Sequence, residues 1–77
     1  MIANRMAAKG DTAQGMVVTD RAGITVWAGE FHATVGDGKV ADFAAACDRS
    51  ALGFAYLILA DNTVAMFDLT AAIRRNY

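Results

Sequence analysis

Few residues in this 77-residue chain could do covalent or proton-transfer chemistry. There is one histidine, His32, one cysteine, Cys47, and one glutamate, Glu30. A nucleophile needs a base within hydrogen-bond reach, and Cys47 with His32 is the only Cys/His pairing on offer. Cys47 falls at helical spacing with Val40, Phe43 and Ala44, and on such an apolar stripe a thiol behaves as a small hydrophobe. His32 alternates with Phe31 and Ala33, which turns it toward solvent or a sheet edge. Cys47 is therefore read as core filler and His32 as a surface residue. The carboxylates (Asp11, Asp20, Glu30, Asp37, Asp42, Asp48, Asp61 and Asp68) are scattered, mostly at turns and helix ends. No pair is spaced for acid–base work, so the expectation is a protein that is not an enzyme. With one cysteine and one histidine, a structural zinc site is not expected either, and no cofactor is implied.

Two further stretches invite a ligand. "VGDGKV" (35–40) places glycines before a helix, where backbone N–H groups can hold an anion. A phosphate loop, however, needs a longer glycine-rich span ending in Gly-Lys-Ser/Thr. Here Val40 follows Lys39, and Asp37 would repel the phosphate, so the stretch reads as a strand-to-helix turn. Arg74 and Arg75 beside Tyr77 could contact phosphates and stack on bases, although two arginines also complement the end of a helix. The formal net charge of −1 lacks the clustered basic excess of a dedicated nucleic-acid binder. Nucleic acid is not the expected partner. A small nucleic-acid-associated regulator using Lys39, Arg74 and Arg75 is the alternative.

The elements that would position these residues follow from pattern. Apolar residues make up 56% of the chain and proline is absent, the opposite of a disordered composition. The length suits a single domain over 1–77. Residues 1–13 are weakly patterned, either a frayed first turn or a flexible N-terminal arm. Met16–Thr19 and Ile24–Val35 are β-rich around "DRAG" (20–23), which reads as a hairpin. Ile24 and Val26 share one parity while Phe31, Ala33 and Val35 share the other, so Gly29 is expected to mark a bulge or bend. The stripe of Val40, Phe43, Ala44 and Cys47 predicts a helix that ends before Gly53, with Asp37 ahead of its first turn to cap it or complement its dipole. Phe54–Ala60 and Thr63–Asp68 form a second hairpin around Asp61-Asn62. "DLTAAIRRNY" predicts a short C-terminal helix with Leu69, Ile73 and Tyr77 on one side. The expected fold is α+β: a four-stranded antiparallel sheet in ββ-α-ββ-α order with one main helix packed on one face.

The second hairpin raises the question of cover. Phe54, Tyr56 and Ile58 lie on one parity and Ala55, Leu57 and Leu59 on the other. A strand apolar on both faces must be covered twice, and one helix covers one face. The remaining face calls for the chain's own ends or another molecule, and apolar patches on small proteins mark interaction sites. The expected function is a non-catalytic protein-binding module. Its candidate partner-binding residues are Trp27, Glu30, Asp20, Arg21, Tyr56, Arg74 and Arg75, because aromatic and arginine side chains concentrate binding energy. A second copy covering the open face would make a homodimer. No stretch is long and apolar enough to cross a bilayer. The lone cysteine and lack of a leader pattern point to the cytoplasm.

The run "ACDRSALGFAYLILADNTVAMFDL" resembles the helix–strand–turn–strand ending of a small anti-CRISPR protein, of the kind that inhibits type I CRISPR complexes. The resemblance covers about the last half of the chain and carries over no functional residue. It implies a phage or mobile-element inhibitor acting by steric blockade of a host surveillance complex, in the cytoplasm of the host bacterium.

Overall fold

The structure, a computed structural model, describes residues 2–47 and 51–70. Its elements are β1 (Arg5–Met6), β2 (Thr12–Asp20), β3 (Thr25–Thr34), α1 (Lys39–Ala46), β4 (Leu52–Leu59) and β5 (Val64–Asp68). The five strands form one sheet in the order β1-β5-β4-β2-β3. All neighbours are antiparallel except β1 and β5, which run parallel. The α+β class is as expected. The four-stranded, purely antiparallel sheet is not, because the N-terminal segment contributes a fifth strand.

That strand is held by side chains as well as by backbone. The Arg5 guanidinium forks onto Asp11, with Nη1–Oδ2 and Nη2–Oδ1 both 2.7 Å. Asn4 N–H donates to Val64 O, and Asn4 Oδ1 accepts Val64 N–H, each at 2.8 Å. Two residues carry no periodicity, so nothing in the local pattern announces β1.

Both hairpin turns rest on short polar side chains. Asp20 Oδ1 accepts the N–H groups of Ala22 and Ile24 at 2.9 Å, and Gly23 takes φ 88°, as the turn requires. In the second turn Asn62 adopts φ 67°, while Asp61 Oδ1 accepts both the N–H and the hydroxyl of Thr63. Helix α1 is entered through Gly38, left-handed at φ 88°. Asp37 stands one residue earlier and accepts Lys39 N–H at 2.9 Å.

The core lies between α1 and one face of the sheet. Met16, Val18, Ala55, Leu57, Ala65 and Leu69 are buried there with Val40 and Ala44 of the helix; Trp27, Phe31, Phe43 and Phe67 pack against them. Three local expectations are corrected. Gly29 is not a bend: Trp27, Phe31, Ala33 and Val35 keep one parity through it, and the register irregularities fall beside Gln14 and between Val18 and Thr19. Cys47 is not core filler; α1 stops at Ala46 and leaves the thiol exposed at the C-cap. Gly53 lies inside β4 rather than just past a helix end. Of the expected C-terminal helix only Asp68, Leu69 and Thr70 are described: Asp68 ends β5 rather than starting the helix, and Leu69 and Thr70 are helical; Ile73, Arg74, Arg75 and Tyr77 lie outside the described residues.

Candidate functional site

Strand register builds the face opposite α1 row by row. Its central row crosses all five strands: Met6 is level with Met66, Met66 with Tyr56, Tyr56 with Val17, and Val17 with Ala28. Every member is apolar or aromatic. On one side runs Val64–Ile58–Gly15–Glu30, and on the other Asp68–Phe54–Thr19–Thr25. No lysine or arginine stands in the three rows, and the two acidic residues sit at their ends. The rings of Phe54 and Tyr56 lie 6.5 Å apart, tilted by 47°.

Side-chain alternation gives this face its character. In β4 the positions Ala55, Leu57 and Leu59 are buried against the helix side, whereas Phe54, Tyr56 and Ile58 between them stay half-buried. In β5 the alternation repeats, with Ala65 buried and Val64 and Met66 half-buried. Met6 at the end of the row is 54% exposed. An antiparallel sheet commonly turns polar residues to water on its second face; here that position is taken by Phe, Tyr, Ile, Val and Met.

A concavity lies on the α1 side of the sheet. A groove of about 400 Å³ is lined by Val18, Val26, Trp27, Phe43 and Leu52, together with Asp20, Cys47 and Ala51. The Trp27 and Phe43 ring centroids are 5.0 Å apart, and Phe31 meets Phe43 edge-on at 5.9 Å. Trp27 is thus half core residue and half groove wall.

The structure divides the residues singled out from the sequence. Tyr56 occupies the middle of the central row, and Glu30 ends the neighbouring one. Trp27 belongs to the opposite face, so the expected grouping of Trp27 with Glu30 does not form. Asp20 shares the groove with Trp27, but its carboxylate is committed to the turn. Arg21 is exposed in that turn. Arg74 and Arg75 lie outside the described residues. Met6, Met66, Val17 and Ala28 were not singled out, although Val64 and Met66 alternate with Ala65 and Phe67 as a two-faced strand would.

Several polar groups are tied into local hydrogen bonds. His32 Nε2 meets Glu30 Oε1 at 2.6 Å on the surface. The Arg5 fork, aided by Ala8 N–H, pulls the Asp11 carboxyl down to about 2. Asp37 is lowered by the N–H groups of Lys39 and Thr34, and Asp61 by the hydroxyl and N–H of Thr63. Among the described residues no group of three or more His, Cys, Asp or Glu could hold a metal ion. No helix among them is long and apolar enough to cross a membrane. Comparison with protein-family models, with curated proteins and with solved structures returns no match.

Proposed function

We propose that this chain is a non-catalytic protein-binding module that docks through the face opposite α1. The apolar row Met6–Met66–Tyr56–Val17–Ala28 carries the reading. An array of this kind, centred on a tyrosine with Phe54 beside it, matches the composition of interface centres, where aromatic and methionine side chains are enriched and charge is depleted. Steric occupation of a partner's surface is the mode of action, and it needs no reactive group. The target class that the anti-CRISPR resemblance implies is a type I surveillance complex.

Co-elution with a panel of purified type I complexes tests both parts. The expected result is a stable complex with at least one of them, lost in Tyr56→Lys while the circular dichroism spectrum is unchanged. Absence of binding to every complex overturns the target class. Retained binding by a folded Tyr56→Lys variant overturns the choice of face.

A further inference from the structure

Strand β3 is one outer edge of the sheet, with no strand beyond it among the described residues. Successive residues of a strand turn their backbone groups to alternate sides. Val35 faces inward: its N–H donates to Asp11 O at 2.8 Å, and its carbonyl accepts Gly10 N–H at 2.9 Å. Thr34 therefore faces outward, where Asp37 closes it. Thr34 N–H donates to Asp37 Oδ2 and Thr34 O accepts Asp37 N–H, each at 2.9 Å. Lys39 Nζ donates to the outward carbonyl of His32 at 3.2 Å.

The same alternation points the N–H and C=O groups of Ala28 and Glu30, and the N–H of His32, off the edge. At the other end the ladder with β2 breaks register at Val26, between the Val18–Trp27 and Thr19–Thr25 pairs. The accessible stretch thus runs from Val26 to His32, and its midpoint is Gly29. Unpaired outward backbone groups on a long edge are a template for another strand.

We propose that this stretch pairs with the same stretch of a second copy, antiparallel about a two-fold axis at Gly29, joining two sheets edge to edge. Side-chain complementarity selects the occupant and the register. Centred on Gly29, the ladder sets Ala28 against Glu30 of the partner copy and Trp27 against its Phe31, with two glycines on the axis. Centred on Glu30, it would oppose two glutamates, and like charges directly across a ladder destabilise it. A shift further toward the C-terminus meets the contacts of Asp37 and Lys39, and a shift toward the N-terminus meets the break at Val26. The pairing uses the backbone of the β3 edge; Ala28 and Glu30 also end two rows of the face assigned above to a foreign partner, but a chain that stays monomeric would leave that assignment standing.

Sedimentation equilibrium from low to high micromolar concentration tests the pairing on the native chain and two variants at exposed Ala28. The native chain is expected to form a dimer. Ala28→Glu places a carboxylate opposite Glu30 twice across the axis and raises the dimer Kd by about tenfold; Ala28→Lys places an ammonium there and lowers it. A monomeric mass throughout the range overturns the proposal and leaves the edge to a strand of a different protein. A dimer whose Kd moves the same way in both variants overturns it too, because the register would then be another one.

Discussion

The indole of Trp27 lies over Gly29: a Cβ built on that glycine would stand 3.2 Å from Cζ2 and 3.3 Å from Cη2 of the ring. The glycine makes room for a neighbouring side chain rather than for a bend in the strand. Phe43 packs against the ring at 5.0 Å, so making room for a side chain at position 29 would disturb that contact or push the indole toward the groove it lines. Gly29→Val is expected to lower stability by about 1–3 kcal/mol through overpacking, despite the β-propensity of valine. Thermal melts should show the loss, with a shift in tryptophan emission as the indole moves. A gain in stability would mean that the ring yields freely.

Phe43 stands between Trp27 and Phe31 and touches both rings. Truncating either Trp27 or Phe43 to alanine should cost about 2–3 kcal/mol, below the fully buried range because both are half-buried. The two losses should not add. A double-mutant cycle in urea is expected to give a coupling of about 0.5–1.5 kcal/mol, as for other aromatic pairs. Strict additivity would show that the pair acts only through area.

Asp11 makes stability depend on acid. Its carboxyl is lowered to about 2 in the folded chain, first by the Arg5 guanidinium and then by Ala8 N–H, against about 3.9 when unfolded. The stabilisation is therefore present above the unfolded value and fades as pH falls through the folded one. Between about pH 4 and pH 2 the native chain should lose stability faster than Asp11→Asn does. Asp37 and Asp61, lowered in the same direction, keep some acid sensitivity in the variant. Urea midpoints across that interval measure the difference, and identical slopes would remove the ion pair from the account.

Gly53 sits against backbone rather than side chain. A Cβ there would collide with the Asp20 carbonyl and lie 2.9 Å from Arg21 Cα. Neither neighbour can turn aside without opening the first hairpin, so Gly53→Ala should be among the most damaging single changes, at about 3 kcal/mol or more. Denaturant unfolding should show it plainly, whereas Gly10→Ala, with open space around the Cβ, should show only the smaller cost of its positive φ.

The parts legible in the sequence are those with local signals. Asp20 to Gly23 and Asp61-Asn62 carry turn chemistry within four residues, and Val40, Phe43 and Ala44 mark the helix face by spacing alone. The parts that were not legible depend on distant partners. Arg5–Met6 becomes a strand only because β5 and Asp11 receive it. Gly29 and Gly53 look alike in sequence, yet one accommodates an indole and the other a carbonyl. At the candidate site, Tyr56 stood out as an aromatic residue on a two-faced strand. Its neighbours Val17 and Met66 are assembled by register across separate strands, which no local window contains.

The contacts that seat β1 span most of the chain: Asn4 grips Val64 sixty residues further on. Loop closure over such a separation is slow compared with hairpin and helix formation. During synthesis β1 emerges ahead of the other described strands but lacks its partner until β5 leaves the ribosome. The two hairpins and α1 can form early, while the far edge of the sheet closes late. A nascent chain halted before Val64 would present β4 without its neighbour, an apolar strand with a bare ladder of the kind that chaperones and proteases recognise. The parallel clasp at Arg5–Met6 can thus form only once β5 has been made.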